Sequence, residues 1–371
     1  MRRVLKDWRL LLLTALPVLL ILFAAKLGTG VGPDLPGPRL REQLGIKAPF
    51  SLCKPSADKI RQPTQPIVGE GRWQRLGAIP RLSFDEIRAT STGGVVYAGT
   101  GAVPNKSGTF FKSLRYFNSY DPVTGQVERL PKMPLPVDHT VFGTWHGDVY
   151  VFGGRSDHST SDRAFRYSVR ERRWTELARM PGKRVAGAGA TIGDNFYFTG
   201  GALANDINIP DPFRTLFVYS FRENRWHRAT GMPTGRHHTS AAALDGKLYV
   251  VGGRRGKNLA LDAVERYDPG TDSWERLPPL PLGVGGLGVA PVGGRLIAIS
   301  GGDDGNRWVT PATWAFDPAT SRWTRLGDLG VPRHGFGVAV VADRVYVFGG
   351  SPCPMTGRTA VGEVLTGLAA H

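Results

Sequence analysis

The sequence predicts an all-β protein in which six small antiparallel sheets surround a central axis, closed by an N-terminal strand and preceded by one hydrophobic N-terminal helix. Three observations predict it. Glycine pairs recur after short apolar segments at steps of 53, 47, 52, 49 and 48 residues. An aromatic residue and a tryptophan keep the same period. The 371 residues include 49 glycines and 28 prolines, which favour many tight turns and short strands over long helices.

Composition excludes several classes of protein. With 41% hydrophobic and 21% charged residues, a chain of this length can bury a large core, which excludes disorder throughout. Two cysteines exclude a disulfide-dense scaffold and a four-cysteine zinc site. The net charge of +16 makes anionic partners plausible. The sequence has no polybasic block, RNP-like aromatic motif or Cys/His finger, so we expect no nucleic-acid partner.

The N-terminus has the layout of a targeting segment. Residues 1–9 form a basic region, and the run from Leu10 to Ala25 carries no charge. As a helix this run is about 24 Å long against a bilayer core of roughly 30 Å, and Trp8 and Lys26 extend it to the interfaces. We interpret residues 10–27 as an uncleaved signal anchor or a cleaved signal peptide. Both interpretations place the rest of the chain outside the cytoplasm. An uncleaved anchor gives a single-pass membrane protein, and a cleaved signal gives a periplasmic or secreted protein.

A proline-rich linker is predicted over residues 28–71, because its prolines interrupt every regular element. From residue 72 to 371 three landmarks repeat together. A glycine pair follows four apolar residues, a tryptophan follows later, and an aromatic residue lies seven positions before that tryptophan. The glycine pairs end at Gly101, Gly154, Gly201, Gly253, Gly302 and Gly350; the tryptophan position holds Trp73, Val127, Trp174, Trp226, Trp274 and Trp323; the aromatic position holds Tyr120, Tyr167, Tyr219, Tyr267 and Phe316.

Each repeat reads as four short strands, and four antiparallel strands cannot bury both of their faces alone. Stacking the sheets radially buries both faces and gives a β-propeller. The segment around Trp73 is a tryptophan strand without the other three strands of its repeat, and the chain ends before the last repeat reaches its own. We therefore expect the N-terminal strand to complete the sixth sheet, pairing near residues 362–368, which removes the open edges.

These repeats resemble the Kelch family. The period near 50, the double glycine after four apolar residues and the spacing Tyr-x6-Trp are its signature, and they cover about four-fifths of the chain. The first copy departs from the pattern, since Gly99-Thr100-Gly101 replaces the doublet and Val127 replaces the tryptophan. The resemblance is specific for the fold and weakly specific for function.

The expected closure gives the two cysteines a role. Cys353 lies just past Gly350 in the last sheet, and Cys53 lies about 20 residues before the strand that completes it. We hypothesise a Cys53–Cys353 disulfide that reinforces the closure in an oxidising compartment. The alternative is two unrelated thiols.

Three arginines share one position of the repeat. Arg184, Arg236 and Arg333 each stand 17 residues before the end of their glycine pair, where the innermost strand starts. Guanidinium groups suit carboxylate, phosphate or sulfate. In the BTB-Kelch adaptors that this region resembles, arginines in this part of the repeat contact acidic ligand segments. We therefore predict these arginines as ligand-binding residues, the alternative being that they brace neighbouring loops.

Catalytic candidates lie beside these arginines. Asp85 or Glu86 with His139 or His238 could supply an acid and a base. The adjacent pair His237-His238 is not expected to share a metal, because neighbouring strand residues face opposite sides. The copper-oxidase and iron-specifier motifs of Kelch-like enzymes are absent, and we expect no metal and no cofactor. Long loops after the glycine pairs of the first and third repeats are candidate recognition segments, with Phe110, Phe111 and Phe213 as candidate contacts.

The function predicted from these observations is a membrane-anchored, extracytoplasmic Kelch propeller that binds a protein or an acidic glycan at the channel mouth. The alternative is a sugar mutarotase or epimerase resembling N-acetylneuraminate epimerase, acting at the same mouth.

Overall fold

The computed structural model describes residues 55–104, 111–156, 159–203, 213–256, 259–354 and 357–368. Over these residues the chain forms six four-stranded antiparallel sheets, called blades below. The first strand of each blade packs against the first strands of the blades on either side, including blade 1 against blade 6. The predicted six-bladed propeller is therefore confirmed.

The N-terminal predictions are tested only in part. Residues 1–9, the segment 10–27 and the first part of the linker lie outside the described residues, so these boundaries stay predictions. None of the helices in the described ranges is long and apolar enough to cross a membrane.

The strands of each blade are numbered outward from the axis. Blade 1 comprises Arg88–Thr92, Val95–Gly99, Phe117–Tyr120 and Val127–Arg129; blade 2 comprises Val141–Trp145, Asp148–Phe152, Ala164–Ser168 and Arg173–Glu176; blade 3 comprises Val185–Ile192, Asn195–Ala202, Leu216–Ser220 and Arg225–Ala229. Blade 4 comprises Ser240–Leu244, Lys247–Val251, Val264–Asp268 and Ser273–Leu277; blade 5 comprises Gly288–Val292, Arg295–Ile299, Thr313–Asp317 and Arg322–Leu326; blade 6 comprises Gly337–Val341, Arg344–Phe348, Val361–Thr366 and the N-terminal Arg72–Ala78.

Short elements supplement the blades. Two-stranded ribbons follow the second strand in blades 1, 2, 4 and 5, and two 3-10 turns precede blade 1. The ribbons are Ala102–Pro104 with Phe111–Ser113, Arg155–Ser156 with Ser159–Thr160, Arg254–Arg255 with Leu259–Ala260, and Gly302–Asp303 with Trp308–Val309; the turns are Ala57–Lys59 and Pro80–Leu82.

Closure occurs as the sequence predicts. The N-terminal strand pairs antiparallel with the third strand of blade 6, with Trp73 opposite Leu365 and Arg72 opposite Thr366. The first and last strands of the propeller are thereby paired inside one blade, so backbone hydrogen bonds close the ring of blades.

The glycine pairs lie where the second strand ends and the chain turns back. In blade 4, Gly252 and Gly253 have φ values of 60° and 112°, a region that favours glycine. Blades 1 and 5 use Thr100 and Ser300 at the first of these positions, with φ of 58° and 52°. The pair in blade 5 is therefore Ser300-Gly301, one residue earlier than the Gly302 alignment predicts.

The linker is not a free tether throughout. Ile60 forms a parallel bridge with Val309 of blade 5. Arg325 of the same blade donates from Nη1 to the carbonyls of Pro63 and Gln65, at 3.1 and 3.0 Å. The last part of the predicted linker is thus held along blade 5, where the backbone carbonyls of Pro63 and Gln65 serve as acceptors.

Tryptophans in the fourth strands connect neighbouring blades. In blades 2 to 5 the indole Nε1 donates to a backbone carbonyl of the preceding blade, just beyond that blade's own fourth strand. The bonds run from Trp174 to Pro131 at 2.9 Å, from Trp226 to Ala178 at 2.9 Å, from Trp274 to Thr230 at 2.7 Å and from Trp323 to Pro278 at 3.0 Å. The predicted tryptophan position is therefore a contact between blades.

Candidate functional site

Six residues surround the axis where the first strands begin. Five of them lie just before the first strand of their blade, and Ala186 is the second residue of the first strand of blade 3. All six have a left-handed backbone conformation, with φ between 48° and 65°. We call this set the mouth ring, and the end of the channel at which it lies the ring end. The mouth ring consists of Glu86, His139, Ala186, His238, Gly286 and Gly335.

Backbone hydrogen bonds link most of the mouth ring. Each amide donates to the carbonyl of the ring residue in the preceding blade, over four successive steps. At Glu86 the amide instead donates to Oδ1 of Asp85 at 3.0 Å. The four links run from Ala186 to His139 at 3.0 Å, from His238 to Ala186 at 2.7 Å, from Gly286 to His238 at 2.8 Å and from Gly335 to Gly286 at 2.9 Å.

Three side chains of the mouth ring converge. The imidazole of His139 lies 5.0 Å from that of His238, ring centre to ring centre, in an edge-on arrangement. The Nε2 atom of His139 is 3.6 Å from Oε2 of Glu86. All three residues are buried, with 4–7% of their surface exposed. The structure thus brings together three of the four predicted catalytic candidates, and Asp85 adjoins them through the backbone of Glu86.

Asp138 orients His139. Its Oδ1 atom lies 2.5 Å from Nδ1 of His139, while the same carboxylate accepts from Arg155 at 3.0 Å and from the hydroxyl of Ser113 at 2.6 Å. The carboxylate beside Nδ1 fixes the orientation of the ring, which places Nε2 of His139 toward Glu86. Burial alone would raise the pKa of Asp138, but His139, Arg155 and Ser113 lower it below the usual range.

The prediction that His237 and His238 face opposite sides is wrong. Their Nδ1 atoms are 2.5 Å apart and their ring centres 4.8 Å apart. The alternation of a strand does not apply, since both residues precede the first strand and His238 has a φ of 48°. The left-handed residue rotates its side chain toward its neighbour.

Opposite charges decide the ionisation of Glu86. Burial would raise its pKa, but His139, Arg88, His334 and Arg254 outweigh burial and hold the pKa at about 2. Arg88 contacts Oε2 of Glu86 at 3.3 Å. The carboxylate is therefore charged at neutral pH, in spite of lying inside the protein.

Two further groups have displaced pKa values. Burial, followed by the charges of Arg254 and His237, lowers the pKa of His238 well below its usual range. Burial and the carboxylate of Glu86 raise the pKa of Asp85 well above its usual range. The cluster at neutral pH thus pairs a charged Glu86 with a neutral His238, a combination that suits both hydrogen bonding and ligation.

Arg254 is a site residue that the sequence reasoning missed. Its Nη1 atom pairs with Asp304 at 2.6 Å, and its Nε and Nη2 atoms are buried without a hydrogen-bond partner in the described part of the chain. A Cβ atom on Gly285 would lie 2.4 Å from its side chain, so the glycine makes room for it. Arg254 follows the glycine pair of blade 4 as Arg155 follows that of blade 2, a signal that was present in the sequence.

A cavity of about 110 Å³ lies directly behind the mouth ring, inside the channel. Arg88, Thr140 and Thr239, which follow the ring residues along the chain, line it together with Gly286. Small residues dominate its wall further down. The channel therefore offers space for water or a small ligand just beyond the mouth ring, of which Gly286 lines the cavity.

Two of the three predicted ligand-binding arginines are buried inside their blades. Arg236 pairs with Glu265 at 3.0 Å, and Arg333 pairs with Glu363 and donates to the carbonyls of Gly349 and Val361. Both arginines are 0% exposed, so neither guanidinium presents surface to a ligand. Burial lowers the pKa of Arg333 to about 10 and raises that of Glu363. Their contacts are those of bracing residues, and ligand binding by them stays untested.

Arg184 occupies the same position in blade 3 with different neighbours. Its guanidinium lies 3.5 Å from the ring centre of Phe213 and 5.0 Å from that of Phe217, and Nη2 donates to Thr215 at 2.8 Å. Phe217 occupies the third-strand position that Glu265 holds in blade 4, so the partner of the arginine changes with that residue. Phe213, a candidate contact, packs inward; Phe110 and the side chain of Phe111 lie outside the described residues.

The proposed disulfide is tested on one side only. Cys353 is buried, at 5% exposure, and is not a free thiol. Cys53 lies outside the described residues, so its pairing with Cys353 stays a prediction.

The fold is a Kelch-type β-propeller. Its blades carry glycine pairs and tryptophans that bond to the preceding blade, and a charged cluster lies at one mouth. The chain matches the KLHDC2/KLHL20/DRC7 Kelch-repeats domain over residues 138–350, more than half of its length, and belongs to that family.

Relatives among known proteins agree with this assignment. The chain is 34% identical to Kelch-like protein 35 of Mus musculus over 136 residues, which cover 36% of this chain and 22% of that protein. It is 25% identical to Kelch-like protein terF of Aspergillus terreus over 256 residues, 65% of this chain and 55% of that protein. It is 27% identical to Kelch-like protein 41a of Danio rerio over 227 residues, 60% and 36% respectively. The match thus spans about a fifth to a half of the length of these relatives.

Proposed function

We propose that the propeller is a protein-binding module and that its recognition surface is the ring end. The connections from the second to the third strand and from the fourth strand to the next blade all lie at this end, because the strands of each blade alternate in direction. Loops presented by a rigid scaffold are the usual location of binding residues. Membership in the Kelch family supports a protein as the partner.

Exposed apolar side chains at the ring end carry this proposal. Leu203 and Leu259 lie on the loops after the second strands of blades 3 and 4, and they are 36% and 59% exposed. Blades 3 and 4 are neighbours in the propeller. Exposed leucines on loops of adjacent blades are typical of a surface that a partner covers.

Charge indicates the kind of partner. Basic side chains are exposed on the connections around the mouth, and the whole chain carries a net charge of +16. We therefore propose an acidic protein segment with apolar anchors, since opposite charge raises the association rate and the leucines supply buried area. The exposed basic residues at this end include Lys112, Lys183, Arg214 and Arg255.

A displayed library of random peptides, screened against the full chain, tests this function. We expect enrichment of acidic peptides with apolar residues, and weaker binding by the variants Leu203→Glu and Leu259→Glu. Val123→Glu is the matched control, because Val123 is 93% exposed at the turn before the fourth strand of blade 1, at the other end of the propeller. Enriched peptides that bind all three variants equally would place recognition elsewhere.

An acidic glycan is the other ligand that the sequence predicts at this mouth. A glycan array probed with the same variants separates it from a protein, since binding of sulfated or sialylated glycans without peptide binding would contradict the proposal. The comparisons lend no support to the sugar epimerase alternative.

We also propose that residues 10–27 hold the propeller at a membrane, outside the cytoplasm. The support is the basic region followed by an uncharged apolar run. Expression of the full chain followed by membrane fractionation and protease treatment of intact cells tests this. Recovery of an untruncated chain from the cytosolic fraction would contradict it.

A further inference from the structure

We propose that Glu86, His139 and His238 form a binding site for a divalent transition-metal ion at the ring end of the channel. This role is independent of the protein binding proposed above. It departs from the expectation of no metal site, which considered the His237-His238 pair and known enzyme motifs only.

Convergence of the ligand atoms is the first argument. Each of the three residues offers one ligand atom, and these atoms all lie within 4.8 Å of one another. They come from blades 1, 2 and 4, so the propeller closure itself assembles them. Metal–ligand bonds of about 2.0–2.2 Å place ligand atoms about 3.3 Å apart in a tetrahedral site. Small side-chain rotations therefore close the triad around an ion.

Orientation of the imidazoles is the second argument. Nδ1 of His139 is engaged by Asp138 and Nδ1 of His238 by His237, in each case the preceding residue. Nε2 of His139 lies 3.6 Å from Oε2 of Glu86. A carboxylate on Nδ1 that directs Nε2 to an ion is the usual outer-shell arrangement of metal-binding histidines. The structure has this arrangement at His139.

Space beside Glu86 is the third argument. A Cβ atom on Gly335 would lie 2.4 Å from Oε1 of Glu86, so this ring position accommodates the carboxylate only because it is glycine. The cavity of about 110 Å³ is lined by Arg88, Thr140 and Thr239, which follow the three ligands within one or two residues along the chain. A zinc ion held by three protein ligands keeps a fourth position for water or a small ligand.

The ligand types select the class of metal. Two imidazoles with one carboxylate suit zinc and the neighbouring first-row divalent ions, whereas calcium and magnesium require oxygen ligands. The positive charge of Arg254 nearby is balanced by Asp304, at 2.6 Å. Arg88 contacts Oε2 of Glu86 itself, at 3.3 Å.

Titration of the purified, chelator-treated full chain with Zn²⁺ and Co²⁺ tests the site. We expect one ion per chain by calorimetry and a visible Co²⁺ absorption band. The single variant Glu86→Gln and the double variant His139→Gln with His238→Gln should each lower the affinity for the ion by more than about 10-fold. Asp138→Asn should lower it by about 10- to 100-fold. His227→Gln is the control, because His227 is exposed on the fourth strand of blade 3 and should bind the ion as the natural chain does.

Wild-type measurements keep the test valid if a variant fails to fold. X-ray absorption of the Zn²⁺-loaded natural chain should show two imidazole nitrogens and a carboxylate oxygen at about 2.0–2.2 Å. Absence of stoichiometric binding would overturn the proposal, and so would a shell of oxygen atoms alone. Binding that His227→Gln abolishes and the double variant His139→Gln with His238→Gln retains would overturn it as well.

Discussion

The indole Nε1 of Trp73 donates to the hydroxyl of Thr313, 240 residues further along the chain, at 3.1 Å. Trp73 lies in the N-terminal strand of blade 6, and Thr313 lies in the third strand of blade 5. The bond repeats, with a side-chain acceptor, the contact that tryptophans of blades 2 to 5 make with a preceding blade. The strand that closes blade 6 therefore also fastens blade 6 to blade 5.

Replacement of Trp73 should loosen the closure. Trp73→Phe removes the hydrogen bond and should lower the free energy of unfolding by about 1 kcal/mol. Trp73→Ala also removes half-buried ring surface and should cost about 2 kcal/mol or more. Hydrogen exchange should rise in Val361–Thr366, the strand that pairs with Trp73, and stay unchanged in Val264–Asp268 of blade 4. An equal rise in hydrogen exchange in both strands would show that the effect of Trp73 is not confined to blade 6.

The buried pair of Arg333 and Glu363 should behave as a bracing contact. Arg333→Met leaves the Glu363 carboxylate buried without its partner and should destabilise the chain by about 3–5 kcal/mol. The double variant with Glu363→Leu should recover much of that loss, because no uncompensated charge remains. Denaturant unfolding of both single variants and the double variant measures the coupling.

A surface pair provides the comparison. Arg225 and Glu223 are 2.8 Å apart with side chains 74% and 57% exposed, and Arg225→Met should leave stability unchanged. If Arg333→Met also proved neutral, the assignment of a bracing role would fail and a binding role would regain support.

Gly335→Ala should lower the free energy of unfolding by more than the strain of a left-handed alanine alone. Gly335 has a φ of 63°, and its added Cβ would lie 2.4 Å from the Glu86 carboxylate. Gly246 has a φ of 70° and nothing within 4 Å of the same atom. Gly246→Ala should cost about 1 kcal/mol, and Gly335→Ala should exceed it by about 1–3 kcal/mol. Equal unfolding midpoints for the two variants would contradict the steric argument.

The Cys53–Cys353 pairing should appear in peptide mapping of the unreduced chain. Reduction should lower the unfolding midpoint, with a contribution of up to about 5 kcal/mol expected for so long a loop. Cys353→Ser should lower the midpoint to the same level and abolish the effect of reductant. Recovery of both cysteines as free thiols would dismiss the bond.

Landmark residues made the fold predictable. Trp73 identified the closing strand, because a tryptophan strand without its three companions can only complete another sheet. The predicted position of the pair in blade 5 is wrong by one residue, because Ser300 takes the left-handed conformation that the glycine pattern assigns to Gly301. Its Oγ atom lies within hydrogen-bond distance of the carbonyls of Thr310 and Arg333, at 2.6 and 2.8 Å, and its single hydrogen is shared between them. Such local bonds compensate for a residue type that gives no sequence signal.

The site was only partly predictable for a similar reason. Residue spacing placed Glu86, His139 and His238 near the mouth, and the structure brings them together. Spacing did not reveal which way a side chain points: Arg236 lies two residues before His238, yet it points into its blade while His238 points to the axis. The turn between them depends on a positive φ at a histidine, which composition does not indicate.

The mouth ring draws one residue from each repeat, while the backbone that carries it is nearly the same six times. A substitution at one of these positions changes the groups at the centre while the sheets behind it are kept. A scaffold built from near-copies can therefore hold a wholly unsymmetrical set of groups on its axis, and its chemistry can diverge through single replacements while its architecture stays as it is.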